Sequence, residues 1–365
     1  MRSRQRFAML APALLALPLL AGLIGCRAAI VAAKAAPLEV AYRWEYVTSD
    51  YVRGAPALVG NVLLVGSDDN ALHAIDAESG GRAWAYPTAD NVSARPAELA
   101  GLACFGGWDG AVRCLQPTDG SATWSYATEG PIQADLTADG QRNLLYVADG
   151  AGWVHALSAA GEPLWRYRCG GPVLARSVVA GDLLLVGALD GYLYALGAED
   201  GALRWRFRTR GDIVGATAVA GDTVFVASCA RRLHALDLAN GAERWSRDLG
   251  SAVESEVIHA DGRLYLGTND GRMLALAAKD GATLWEQRAQ ATVRSGPAWW
   301  RGVVFYGSDD RHLYGLDAAT GELLWEYVTA GAVIGAPLVA GDRLYVGSAD
   351  HNVHAFALAG GEEGR

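Results

Sequence analysis

Four histidines, His73, His155, His234 and His354, and the acidic pair Glu254 and Glu256 are the residue types in this chain that could bind a metal or move a proton. A metal centre needs imidazoles to converge with thiolates or carboxylates at ligand spacing. These histidines instead occupy one position of an internal repeat, where other copies carry Arg113, Tyr194, Leu274 and Tyr314. Copies of a repeat lie in different places of a fold, so this reads as a recurrent packing position, and no metal site is expected. Glu254 and Glu256 share a face of an extended segment and could hold a cation or serve as a base. The plainer account is a wet, self-compensating charged surface.

Cheap routes to catalysis are missing. There is no GxxxxGK[ST], HExxH or GxSxG string, and the only lysines are Lys34 and Lys279. Turns such as Ser67-Asp68-Asp69-Asn70 and Asn269-Asp270-Gly271 carry acids, but one or two carboxylates per turn suit turn chemistry better than calcium binding. Cys104 and Cys114 stand five residues either side of Asp109, so they could oppose each other across a hairpin as a disulfide. Two small apolar core residues would fit the same positions. Cys169 and Cys229 stand alone.

The elements that must position these residues are set by tryptophan. Trp44, Trp84, Trp124, Trp165, Trp205, Trp245, Trp285 and Trp325 are spaced by 40, 40, 41, 40, 40, 40 and 40 residues. Val304–Thr329, VFYGSDDRHLYGLDAATGELLWEYVT, shows the unit: two alternating apolar runs, turns between them, and a third run centred on Trp325. A short fourth strand precedes each unit, as in Val52–Pro56 and Val333–Pro337. Four-stranded sheets of this size cannot bury both faces alone, so they must stack around an axis and close into a ring. The last copy ends without its tryptophan strand, and Trp44–Thr48 is identical to Trp325–Thr329, so the N-terminal strand completes it. The expected fold is all-β, an eight-bladed propeller. Each indole is expected to be buried, hiding ~150–250 Å².

With Val52, Gly54 and Pro56 on one face, the alternate residues of the short first strands should line the central channel. Arg53, Arg95, Gln133, Asp135, Arg176, Glu254, Glu256 and Arg294 then make a funnel of mixed charge. Two departures from the repeat are candidate contacts. Trp299-Trp300-Arg301 places adjacent indoles between the first and second strands, one of them expected to be exposed, and such residues anchor interfaces. Arg231 and Arg232 replace the usual turn acids and could meet an acidic partner, although a solvated pair is the plainer reading.

The organisation reads as a signal segment over 1–25, a tether over 26–39, the propeller over 40–358 and a tail over 359–365. Arg2, Arg4 and Arg6 precede an Ala- and Leu-rich run that ends in Leu23-Ile24-Gly25-Cys26, which resembles the bacterial lipobox. The resemblance implies export, lipid attachment at Cys26 and, with Arg27 rather than Asp next, an outer-membrane lipoprotein facing the periplasm. Removing the signal takes three of the 31 basic residues and none of the 40 acidic ones, so nucleic acid and bare anionic membrane are not expected as partners.

The recurring aromatic-Val-Gly-Ser strand, Leu-Tyr-Ala-Leu-Asp strand, Thr-Gly or Asp-Gly turn and tryptophan resemble the PQQ-like propeller repeat from Val40 to Ala357. One branch of that family is the quinoprotein dehydrogenases, which use pyrroloquinoline quinone and calcium, carry long insertions and often bear adjacent cysteines. Here no two cysteines are adjacent and every copy is close to minimal length. Another branch is exported and non-catalytic, and includes the lipoprotein of the outer-membrane β-barrel assembly machinery. That resemblance implies a scaffold with no cofactor, a protein partner such as the β-barrel insertase, and a membrane tie through Cys26. A ligand-sensing propeller and a quinoprotein dehydrogenase are the alternatives.

Overall fold

The structure, a computed structural model, describes residues 36–361. The signal segment, Cys26 and the first ten residues assigned to the tether lie outside the described residues.

Eight four-stranded antiparallel sheets follow one another along the chain. Blade 1 is Ala57–Val59, Val62–Ser67, Ala71–Asp76 and Arg82–Pro87. Six further blades repeat that order. Blade 8 takes Leu338–Ala340, Arg343–Gly347 and Asn352–Gly361 from the C-terminus and its outermost strand, Ala36–Val47, from the N-terminus. The closing pair runs from Ala36 opposite Gly361 to Val47 opposite Asn352. It therefore reaches beyond both expected limits, 40 and 358. First strands of neighbouring blades touch around the axis, and the fourth strands form the outer rim.

Val52–Pro56, expected as the first strand, forms no strand; the three-residue innermost strand begins at Ala57. The reason is visible in its hydrogen bonds. The Val52 amide donates to the Ser348 carbonyl of the preceding blade at 3.2 Å, and the bond recurs from Val92 to Ser67 at 3.1 Å and on round to Val333 and Ser308 at 3.1 Å. Each such segment stitches two blades together. Its alternating pattern reflects one face on a neighbour and one on the channel, the same period as a strand.

The tryptophans hold the ring from outside. The Trp84 Nε1 donates to the Pro117 carbonyl of blade 2 at 2.9 Å, Trp205 to Leu238 at 2.9 Å and Trp285 to Ala318 at 3.0 Å. Seven of the rings lie against a glycine of the next blade, and the eighth, Trp325, packs on Phe356 of blade 8 instead. A β-carbon at Gly321 would sit 2.7 Å from Cδ2 of Trp285, and Gly321 has φ +76°. Glycine is required there on both counts. Trp84, Trp205 and Trp285 are buried, whereas the other five are half-buried, so the expectation of eight buried indoles is corrected. The fourth strand is outermost, and no further strand covers its outer edge. Cys104 and Cys114 are opposed partners in blade 2, fully buried and disulfide-bonded.

Trp285→Ala is expected to cost roughly 3–5 kcal/mol, the range for deleting a buried aromatic side chain. Gly321→Ala should also destabilise, by intruding on the same ring. Urea unfolding of the mature protein checks both, and unchanged midpoints would contradict the docking role.

Candidate functional site

The eight segments that precede the innermost strands line a central cavity of about 140 Å³, and Arg53, Arg95, Asp135, Arg176, Glu254, Glu256 and Arg294 all face it. They lie in two rings, because residues two apart on an extended segment point the same way.

The upper ring is tied to the turns of its own blades. Arg294 Nη2 donates to Asp309 at 2.7 Å, Asn269 Nδ2 donates to Glu254 at 2.7 Å, and Trp108 Nε1 donates to Ser93 at 2.8 Å. Arg53 pairs likewise with Asp68. Every partner is fifteen residues further on, in the turn between the second and third strands.

Charges in the lower ring pair with one another across blades. Arg95 donates its backbone N–H to Asp135 at 2.7 Å and sets its guanidinium 3.5 Å from the same carboxylate. It also reaches Glu256 at 3.7 Å, while Arg176 approaches the other Glu256 oxygen at 3.5 Å. Arg95 belongs to blade 2 and Glu256 to blade 6, opposite positions in a ring of eight, so this pair spans the channel. The remaining places are small: Ala55, Ala216, Gly296 and Ala336.

Burial opposes the Glu256 charge, but Arg95 and Arg176 outweigh it and hold this carboxyl below the usual range. Asp135 goes the other way. Burial outweighs Arg95, the Glu256 charge adds to it, and the carboxyl is pushed up.

The histidines are distributed as the repeat requires, each answered by an acid. His73 Nε2 lies 3.1 Å from both Asp69 oxygens, with Tyr46 of the neighbouring blade on Nδ1 at 3.0 Å. His234 Nδ1 bonds Glu243 at 2.7 Å, and His354 lies 3.4 Å from Asp350. His155 departs from this pattern, with two carboxylates in reach.

The expectation of an exposed indole at Trp299-Trp300 is not met. Both belong to an innermost strand, Ala298–Trp300, whose two faces are covered by adjoining blades. Trp300 is buried and donates Nε1 to the Gly341 carbonyl at 2.9 Å, and Trp299 packs half-buried against the cluster around Val304. Arg231 and Arg232 are exposed.

A feature the sequence reading missed lies on the outer rim of blades 3 and 4. Arg166 and Arg168 sit 4.5 and 5.4 Å above the Trp153 ring, and Arg206 and Arg208 lie 4.8 and 5.9 Å from that of Tyr192. The signal was present as alternate arginines in WRYR and WRFR. On blades 7 and 8 the place of Arg168 and Arg208 is taken by Val328 and Val47, which are 58% and 66% exposed. The rim is therefore cationic on one arc and apolar on another.

The sequence model of one family, described as outer membrane protein assembly factor BamB, matches residues 28–134, 108–217, 210–298 and 279–363. The chain belongs to the BamB family. No curated protein matches it in sequence. Among solved structures, BamB from Moraxella catarrhalis superposes with a TM-score of 0.75 at 19% identity, over 87% of this chain and 100% of that one. A europium-containing methanol dehydrogenase gives 0.76 at 15% identity, over 87% and 93%. Quinohemoprotein alcohol dehydrogenase from Comamonas testosteroni gives 0.74 at 16%, over 89% and 77%. At these identities the likeness is one of fold, which BamB shares with dehydrogenases.

Glu256→Gln leaves two guanidiniums without their shared partner. Breaking a buried pair costs ~3–5 kcal/mol, and the low end is expected because Arg95 and Arg176 stay 23% and 32% exposed. The folded-state carboxyl is depressed, so its contribution is present above the unfolded value near 4.5 and is lost as pH falls through the folded one. The gap between wild type and variant in urea should shrink below that pH. A gap constant from pH 7 to pH 3 would contradict the assignment.

Proposed function

We propose that this protein is a non-catalytic scaffold of the periplasm, lipid-anchored to the outer membrane through Cys26, that assists assembly of outer-membrane β-barrel proteins. The observation that carries the reading is the family match over most of the chain, to a family described as an outer membrane protein assembly factor. Its partner on this reading is a protein, the β-barrel insertase, and it needs no cofactor.

The geometry supports a rim-binding role. The channel is bridged by its own side chains, whereas the outermost strands present one unpaired edge each. That edge carries exposed Val47 and Val328 on two adjoining blades and arginine over aromatic rings on two others. Apolar and arginine-aromatic surfaces on a strand edge suit recognition of another polypeptide.

A quinone with calcium does not fit the residues of the channel. Four arginines there could meet its carboxylates, but Arg53, Arg95, Arg176 and Arg294 are each engaged by an acid of this chain. Of the carboxylates that could hold calcium, Asp135 and Glu256 are occupied by arginines, and Glu254 accepts from Asn269. The cavity of about 140 Å³ is also well below the roughly 300 Å³ at which small-molecule pockets begin.

Detergent-solubilised pull-down of the tagged mature protein from its own envelope, read by mass spectrometry, is expected to recover a barrel insertase with accessory lipoproteins. Recovery of neither contradicts the assembly role. Added pyrroloquinoline quinone and calcium should leave the absorption spectrum unaltered and produce no dehydrogenase activity; dye reduction with an alcohol would establish the enzyme instead.

A further inference from the structure

Blade 3 departs from the repeat at two positions that converge on one histidine. The last residue of the second strand or the one after it is Ser or Thr in five blades, as Ser67, Ser228, Thr268, Ser308 and Ser348, all fully buried. Blade 3 puts Asp149 there, equally buried. Two residues after each tryptophan strand ends, the other blades carry Ser49, Ala89, Gly170, Arg210, Gly250, Gln290 and Ala330, and the connection into blade 3 carries Glu129. The Glu129 amide donates to Asp149 Oδ2 at 3.2 Å, which fixes the backbone so that both acids face His155.

His155 is fully buried, and its Nε2 is aimed between the two carboxylates, 3.3 Å from Glu129 Oε2 and 3.6 Å from Asp149 Oδ2. It makes a hydrogen bond to neither. One ligand atom from each of the three residues lies within 4.8 Å of the other two. In a tetrahedral zinc site with bonds of ~2.0–2.2 Å, ligand atoms stand roughly 3.3–3.6 Å apart. The supporting contacts are also those of a metal site. Tyr126, from the outermost strand of blade 2, meets His155 Nδ1 at 3.3 Å, and Arg166 donates to the other Glu129 oxygen at 2.7 Å. An imidazole whose second nitrogen donates to a neighbour presents the first one unprotonated, as a ligand must.

We infer that Glu129, Asp149 and His155 form a binding site for a divalent first-row transition ion, with zinc the ion expected. One imidazole and two carboxylates favour such an ion over calcium, which takes six to eight oxygens. Its place is the seam between blades 2 and 3, so the ion fastens one blade to the next. This inference is independent of the assembly role. It revises the expectation of no metal, which rested on the histidines lying in different blades and did not consider the acids that could join one of them.

The test uses the mature protein carrying Cys229→Ser, stripped with chelator and equilibrated with zinc. Metal is counted by mass spectrometry, and melting is followed with and without zinc. One zinc per chain and a raised melting temperature are expected. Glu129→Gln, at a side chain 40% exposed, should keep the circular dichroism of the wild type and bind zinc at least ~10-fold more weakly, losing the thermal shift. Less than a tenth of an equivalent in the parent, or full binding in Glu129→Gln, would overturn the site and leave the cluster as a structural contact between two acids and a histidine.

Discussion

Everything in this ring depends on a flat aromatic ring meeting a backbone with no side chain. Each blade offers a tryptophan from its outermost strand, and at seven of the eight junctions the next blade offers a glycine held at positive φ in the turn before its own tryptophan, as Gly80 does for Trp44 and Gly321 for Trp285; at the eighth, Trp325 meets Phe356. A β-carbon would clash, and a non-glycine residue would also be strained in that conformation. At six of these junctions the indole N–H also closes on a carbonyl of the same turn. Because the contact is between neighbours, the fold grows by addition, and only the last junction needs a strand from the other terminus.

That outer fastening frees the inner wall to vary. The segments on the axis are held by a backbone bond to the preceding blade, such as Val52 to Ser348, and so tolerate arginine, aspartate, alanine or glycine at the positions that face inward. The charges found there answer one another: Glu256 joins Arg95 and Arg176 across the channel. A buried ion network of this kind adds little net stability but is costly to break, which fixes the identity of its members once they are present. On the proposed reading recognition falls to the rim, where one arc carries arginine over aromatic rings and another carries exposed valine.

The period of the tryptophans made blade number and ring closure legible, since a spacing of 40 residues and the identity of Trp44–Thr48 with Trp325–Thr329 leave few other arrangements. Local pattern misled where one period has two causes. Val52–Pro56 alternates because it separates a neighbouring blade from the channel, which a strand also does. Trp299 and Trp300 look like an excess of aromatic surface, yet an innermost strand has cover on both faces and hides them. Seven of the eight residues expected in the channel face it because each is local to its segment, while Gln133 is not part of its lining; the pairing of Arg95 with Glu256 could not be named, because it joins blades that only the closed ring brings face to face. Glu129 and Asp149 were readable as departures from the repeat, but their convergence on His155 depends on a backbone bond between two turns.

The claim that recognition belongs to the rim while the channel is structural is tested most directly by removing the charges that bridge the channel. A variant with Arg95, Asp135, Arg176 and Glu256 all replaced by alanine leaves no charge unpaired in the lower ring, and its ability to recover partners from the envelope can be compared with that of the wild type by quantitative mass spectrometry. The account predicts the same partners in the same amounts from a folded ring. A folded variant that loses its partners would place the binding site in the channel and contradict it.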